Sequence, residues 1–448
     1  MSRHTVKRLP VDTGISGWEA ISARGFPARA LEGDVTADWL IVGAGFAGLS
    51  AARRLIQLCP EAKIVVLDAR EVAHGPAGRN SGFMIDVPHN LSSGEYSTAD
   101  EGATAREIDE NRHAIAFAAD AARDYGLSVD TFDPSGKINA AATERGVRFN
   151  DNYAKSLKRI GEECRLLDAD EMHELTGSRY YLNGLYTPGA VMIQPADYIR
   201  GLAAGLSKQI ELYENSPVVE LAREARSWRA RAPKGSVTAP KAILAVNGHI
   251  EDFGHFGGRL MHVFTYASMT AAFSQNQYGP GASGAGRWAI LPADPMGATL
   301  RKITVDGLSR IVVRTRFTYD PKMQVSEARV ARIGAEQRRS FDARFPALRD
   351  VAMEYSWAGR LCLSRNHVPA FGEIEENLFS ACCENGLGTV KSTLAGIMAA
   401  ELATGTASKH LQAYATQAQP SRLPPPPVAW LGVNSVIRWQ ELRAGREA

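Results

Sequence analysis

The feature that most constrains this chain is an apolar run that stops at a glycine turn and restarts as a helix, Asp38-Trp-Leu-Ile-Val-Gly43-Ala44-Gly45-Phe46-Ala47-Gly48-Leu-Ser-Ala-Ala. Trp39 to Val42 reads as a buried parallel strand. The Gly-x-Gly-x-x-Gly that follows divides its work among three residues. Gly43 makes the tight turn, Gly45 admits a pyrophosphate to the backbone, and Gly48 lets the helix close on the sheet. Unpaired N–H groups and the dipole at the helix N-terminus then favour the phosphates. Such turns are common alone. Here a second strand, Lys63 to Leu67, ends in Asp68, about twenty residues past the last glycine, where a carboxylate is expected to hold ribose hydroxyls. With strand, glycines, helix, strand and acid in order, the chain is read as binding an adenine dinucleotide. Ala69 and Arg70 complete that stretch.

At 448 residues the chain is too long for one simple core, and two domains are expected. A hydrophobic content of 45% and a charged content of 22% suit an ordinary globular protein. The net charge of +2 and the lack of basic runs predict no nucleic-acid or membrane attraction. The first residues lack the apolar core of a signal peptide, no run reaches the length of a membrane span, and cytoplasm is the expected location. Five scattered cysteines with no Cys-x-x-Cys imply neither a disulfide framework nor a zinc site, and no metal is expected.

Further along, residues 1 to about 37 read as an arm lying on the first domain. A glycine-studded loop, Gly75 to Phe83, follows the second strand, and a helix is expected from Thr104 to Tyr125. A strand at Lys241 to Val246 exits into Asn247-Gly248. Met261 to Ala272 and Ser309 to Phe317 are the clearest of a set of strands after Gly258. Leu378 to Cys383 runs into Glu384-Asn385-Gly386-Leu387-Gly388-Thr389 and a helix, a second strand–glycine–helix unit remote from the first. The tail holds Pro424 to Pro427, read as a stiff connector, and a helix with Asn434 as N-cap ending near Arg443.

Together these pieces resemble the flavin-dependent amine and amino-acid oxidoreductases of the D-amino-acid oxidase and glycine oxidase superfamily, most of all its gamma-glutamylputrescine oxidase-like branch. The similarity runs from Trp18 to the tail. Ala77-Gly78-Arg79-Asn80-Ser81-Gly82 is similar to that branch's Ser-Gly-Arg-Asn-Gly-Gly loop, and Lys241 to Asn247 to its strand ending Ala-Thr-Asn. Trp357-Ala-Gly359, Pro369-Ala-Phe-Gly372 and Cys383 to Gly388 look like the family's closing segment near the flavin pyrimidine edge. Three departures stand out. Asp68 replaces the usual Glu, Leu387 replaces a histidine of the closing motif, and Val313, with Arg314 adjacent, aligns with a lysine that sarcosine oxidases hold over the flavin.

The resemblance implies a fold in which α/β and α+β parts are combined: a discontinuous Rossmann-like FAD domain (1–126, 190–254, 356–420), an antiparallel-sheet substrate domain (127–189, 255–355) and a C-terminal tail (421–448). It implies non-covalent FAD, since His74 lacks the Trp-His context of covalent relatives. Contacts are expected from the first motif, Asp68, Ala69 and Arg70, the loop residues Gly78 to Gly82, Val218, Ala245, Asn247, Gly248 and Asn385 to Thr389. For substrate, Arg301 is expected to face the cavity and offer its fork of donors to an anion, or else to lie on a strand surface. His262 and Tyr266 share one face of a strand and either could touch substrate. His367 and His89 are weaker candidates, and Lys391 is read as a surface lysine. The implied chemistry is hydride departure from an amine α-carbon to flavin N5, then imine hydrolysis. With Val313 in place of lysine, oxygen is expected to be a slow acceptor beside a quinone or dye. A nicotinamide-dependent oxidoreductase and a non-catalytic flavin-binding subunit are the alternatives.

Overall fold

The computed structural model describes residues 2–26, 29–88, 101–278, 281–284 and 286–448. His89 lies outside the described residues. The centre of the fold is a six-stranded sheet in the order Glu211–Tyr213, Ile64–Leu67, Trp39–Val42, Lys241–Leu244, Leu378–Cys382 and Ala370–Glu375. The first five run parallel and the last is antiparallel. Both faces are covered, which is why the central strands Trp39–Val42 and Ile64–Leu67 are apolar throughout rather than alternating. Ile41, Val66 and Ile243 pack beneath helices Phe46–Leu58 and Gly388–Thr404. Leu40, Val42, Val65 and Leu244 pack against a second, five-stranded sheet through Trp228, Ala230 and Val237.

The N-terminal arm is built into that second sheet. Arg3–Thr5 and Gly33–Thr36 form its two edges, and Trp18, between them, is fully buried.

A large sheet stands over one end of the parallel sheet. Its main path is Met353–Ser364, Leu260–Thr270, Leu308–Tyr319, Thr299–Val305, Trp288–Pro292, Lys137–Ala141, Asn183–Thr187 and Arg165–Leu167. All neighbours are antiparallel except Trp288–Pro292 with Lys137–Ala141. The expected division between 355 and 356 cuts through Met353–Ser364. That strand is paired with Leu260–Thr270 from Met353 to Ser364, so the change of sheet comes after Ser364.

The tail departs from expectation. Its helix spans Pro426–Ala444, because the proline run supplies the first turn, where the missing N–H costs nothing. Asn434 is therefore inside the helix rather than at its cap. Its amide accepts from Tyr319 N at 3.1 Å and donates to Tyr319 O at 3.2 Å, pairing the end of Leu308–Tyr319 beyond the reach of Thr299–Val305. Among the described residues, no helix is long and apolar enough to cross a membrane.

Candidate dinucleotide and substrate site

Gly43 sits at φ 105°, where a side chain is strained, and a Cβ on Gly48 would overlap the Gly43 carbonyl oxygen. Helix Phe46–Leu58 thus closes on the turn only because position 48 is bare. Gly45 differs. A Cβ there would meet only Ala77 Cβ, at 3.6 Å, so the protein itself leaves room in front of it. Gly45 also caps the helix without a side chain, so no side chain covers the N-terminal N–H groups. Asp68 ends the second strand, with its Oδ2 accepting from Ala44 N at 2.7 Å and its Oδ1 from Arg70 N at 2.9 Å. Burial raises its pKa, and the two backbone donors pull the other way.

In front of this turn lies an elongated cavity that runs from the parallel sheet to the inner face of the large sheet. Gly43 to Ala47, Asp68 to Arg70, Asn80, Ser81, Val218, Ala245, Asn247, Gly248 and Gly386 to Thr389 all line it. A helix N-terminus, a bare approach at Gly45 and an acid at the strand end are what an adenine dinucleotide requires, and the residues fit one.

Gly48, Gly78, Arg79, Gly82 and Asn385 do not line the cavity. Gly48 lies behind the turn. Asn385 turns away, its Oδ1 accepting from Ser364 N at 2.8 Å. Arg79 is a buried clasp: its guanidinium donates to the carbonyls of His74, Thr13, Gly14 and Ala358. These bonds hold the arm and the large sheet to the loop, so Arg79 is neither solvated nor aimed at a phosphate. The loop's own carbonyls are caught from behind. Ser16 Oγ donates to Gly78 O (3.0 Å), Trp357 Nε1 to Arg79 O (3.0 Å) and Trp18 Nε1 to Asn80 O (2.8 Å).

Arg301 completes this set. It is buried, lies 5.3 Å over the Trp18 ring, and donates to the carbonyls of Gly82 and Ile193. It faces inward but does not line the cavity. Burial draws its pKa down to about 9. It is not a surface residue, and it does not face this cavity: its Nη1 donates to two backbone carbonyls, and it lines a separate cavity with Asp133 and Lys302.

The inner face of the large sheet supplies Thr265, Arg314 and Phe317 to the cavity, with Phe83, Ile85 and Leu291 as an apolar wall. Val313 faces the opposite way, into the core beneath Phe341 and Phe345, and cannot stand for a residue over the flavin. Arg314, one residue on, is the cation at that station, its guanidinium 5.0 Å from the Phe317 ring. The expectation of slow oxygen use drawn from Val313 therefore loses its ground.

His262 lines the cavity, with Nε2 2.6 Å from Glu251. Tyr266 does not. It packs with Phe264, Val330 and Ile333 under helix Glu327–Arg344, and its hydroxyl lies 2.7 Å from Thr318 Oγ1. His367 is an exposed turn residue at φ 56°, away from the cavity.

Lining residues absent from the sequence reading include Arg8, Pro10 and Asp12 from the arm. Asp12 pairs with buried Arg360 at 3.2 Å, and Arg360 Nη1 lies 2.6 Å from His249 Nε2. No local motif marks them. Glu384 had a signal, a charged residue inside a glycine segment at a strand end. It lines the cavity, and its Oε1 accepts from Asn247 Nδ2 at 2.8 Å. Burial pushes its pKa up to about 7.

Two outcomes follow from this geometry. Gly48→Ala forces the helix from the turn and should lower the unfolding midpoint of the protein stripped of ligand. Gly45→Val should leave that midpoint nearly unchanged yet abolish FAD binding, measured by fluorescence titration. A raised folded pKa at Glu384 costs nothing below the ordinary carboxyl range. The cost grows as pH rises from there to about 7 and is complete above it. Glu384→Gln should therefore raise the thermal midpoint more at pH 8 than at pH 5, and an equal change at both would refute the shift.

Comparison with known proteins gives the family. The family described as DAO, FAD dependent oxidoreductase, matches residues 38–402. The probable oxidoreductase OrdL of Haemophilus influenzae is 25% identical over 382 residues, covering 82% of this chain and 83% of its own. The gamma-glutamylputrescine oxidoreductase of Escherichia coli is 25% identical over 411 residues, covering 88% of this chain and 90% of its own. A glycine oxidase structure from Geobacillus kaustophilus shares the fold with a TM-score of 0.69 at 18% identity, over 87% of this chain and 100% of that one. The nicotinamide-dependent and non-catalytic alternatives are set aside. The chain belongs to the FAD-dependent oxidoreductases of the DAO family.

Proposed function

We propose that the protein oxidises a C–N bond of a small amine or amino acid that carries an anionic group, using non-covalently held FAD. The observation that carries this reading is Arg314, a fixed cation on the sheet face opposite the dinucleotide cradle, at the apolar end of the cavity. FAD, when bound, supplies the two-electron acceptor. Gly43 to Ala47 and Asp68 would hold its adenine half, and Gly386 to Thr389 would border its ring. Arg314 would take a substrate carboxylate or similar anion through its planar fork. The nearby positive charge also favours the neutral amine over the ammonium ion, so the nitrogen lone pair is available to assist loss of hydrogen from the α-carbon. Phe83, Ile85, Leu291 and Phe317 would exclude water. No strong base is required, which suits a cavity whose His262 is already engaged by Glu251. Non-covalent binding is supported by His74, which pairs with Glu19 at 3.1 Å and lies outside the cavity lining.

Acid precipitation should release yellow FAD into the supernatant, whereas colour in the pellet would mean a covalent link. An anaerobic bleaching screen over D- and L-amino acids, N-methyl amino acids, polyamine conjugates and aminophosphonates identifies the substrate, and reoxidation by oxygen or a quinone dye identifies the acceptor. On that substrate, Arg314→Lys and Arg314→Ala should raise KM by roughly tenfold or more with little change in kcat, because a charge-assisted hydrogen bond is worth about 1.5–3 kcal/mol. Arg301→Lys should instead lower FAD content and the unfolding midpoint, leaving KM of the surviving holoenzyme near wild type. The reverse pattern would return the anchor to Arg301.

A further inference from the structure

Away from the cavity mouth, three residues remote in sequence meet at one point. His4 comes from the edge strand Arg3–Thr5, His255 from the segment following the short helix Asn247–Glu251, and Glu375 from the end of the edge strand Ala370–Glu375. His4 Nε2 lies 2.6 Å from Glu375 Oε1, His255 Nε2 lies 3.5 Å from the same oxygen, and the two rings are 4.8 Å apart. The three ligand atoms fall within 4.8 Å of one another, the sole such group among the described residues.

We propose that His4, His255 and Glu375 form a divalent-metal site, of the kind zinc occupies, that fastens the N-terminal arm to the body of the protein.

Four observations support it. First, the ligand set is two imidazoles and a carboxylate, which suits zinc. Tetrahedral zinc with bonds of about 2.0–2.1 Å spaces its ligand atoms about 3.3 Å apart. The His255–Glu375 separation of 3.5 Å is close to this, and the 2.6 Å hydrogen bond between His4 and Glu375 would open to admit the ion. Second, His255 Nε2 is buried and lacks a hydrogen-bond partner among the described residues, although it points at this oxygen. A bound ion would satisfy it. Third, the three ligands come from three separate parts of the chain, the first strand, the segment after Asn247–Glu251 and an edge of the central sheet, so one ion among them would cross-link all three. Fourth, the surroundings orient the ligands. His4 stacks near Trp228, and Ser2 Oγ donates to the other Glu375 oxygen.

The placement gives the site a consequence. The arm beyond His4 carries Arg8, Pro10 and Asp12 into the cavity lining, and the segment before His255 carries Asn247, Gly248 and His249. An ion at this point ties both to the edge of the central sheet.

The test uses untagged holoprotein, because a histidine tag would itself bind the probe, treated with chelator and then titrated with Zn²⁺ by calorimetry and equilibrium dialysis. One ion per chain is expected. His255→Ala and Glu375→Gln should each weaken its binding by at least about tenfold while FAD content is kept. Zn²⁺ should raise the thermal midpoint of the wild type but not of either variant, and should slow tryptic cleavage after Lys7 and Arg8. If either variant fails to fold, His4→Gln on the exposed edge strand makes the same comparison. Binding that is weak and substoichiometric, or equally strong in wild type and variants, would overturn the proposal.

Discussion

The site depends on how one irregular loop is buried. Residues 75–82 pass between the parallel sheet, the arm and the large sheet, and a buried loop is tolerable only if its backbone polar groups are satisfied. Here the donors are large side chains from elsewhere. Ser16 and Trp18 reach in from the arm, Trp357 and Arg301 from the large sheet, and each takes a different carbonyl. Gly17 is bare because a Cβ there would lie 2.8 Å from the Trp357 ring. Arg79 works in the opposite direction, leaving the loop to bond carbonyls of the arm and of Ala358. The two layers of the fold are therefore joined at a loop whose Ala77, Asn80 and Ser81 line the cavity.

This explains what could and could not be read from the chain. The dinucleotide turn was legible because its pattern is local: strand, three glycines and an acid all lie within thirty residues, even though the backbone that crowds Gly43 comes from Ala245. Arg79 and Arg301 were singled out as important residue types, but their partners lie far away in sequence, and long-range carbonyls leave no trace in a motif. At the substrate end, where His262 lines the cavity and Tyr266 does not, the limit was a different one. On a strand, a slip of one residue exchanges the two faces. Val313 and Arg314 differ by that one residue, and their faces are assigned only by the sheet register, Ser268 opposite Val313 and Ala267 opposite Arg314. Two residues on, Arg316 sits at φ 63° where the pairing slips, so period-two counting cannot be carried past it. Asn434 shows the same limit at the tail, where a good capping residue serves instead as a partner for a strand end.

The cavity also mixes fixed charge with groups held away from their ordinary titration. Arg360 is buried against Asp12, and burial lowers its pKa while Asp12 opposes that fall. Glu384 carries no such cation among the causes of its shift, and burial leaves it near neutrality. The cavity thus combines a paired charge at the arm with a carboxyl that gains or loses its proton in the physiological range.

The order of strands in the central sheet has a consequence for how the chain acquires its cofactor site during synthesis. The turn at Gly43 is made early, but the strand beside it, Lys241–Leu244, is followed in space by Leu378–Cys382, whose exit supplies Gly386 to Thr389. Asp12 must likewise wait for Arg360. A nascent chain that has emerged only through its first half therefore holds an open parallel edge and half a cradle, with apolar strands unpaired. Such edges are prone to aggregate, and closing contacts of this sequence separation is slow. Cofactor capture is confined to the end of translation or later, so the protein's yield in a cell should be governed by what shields that edge in the interval.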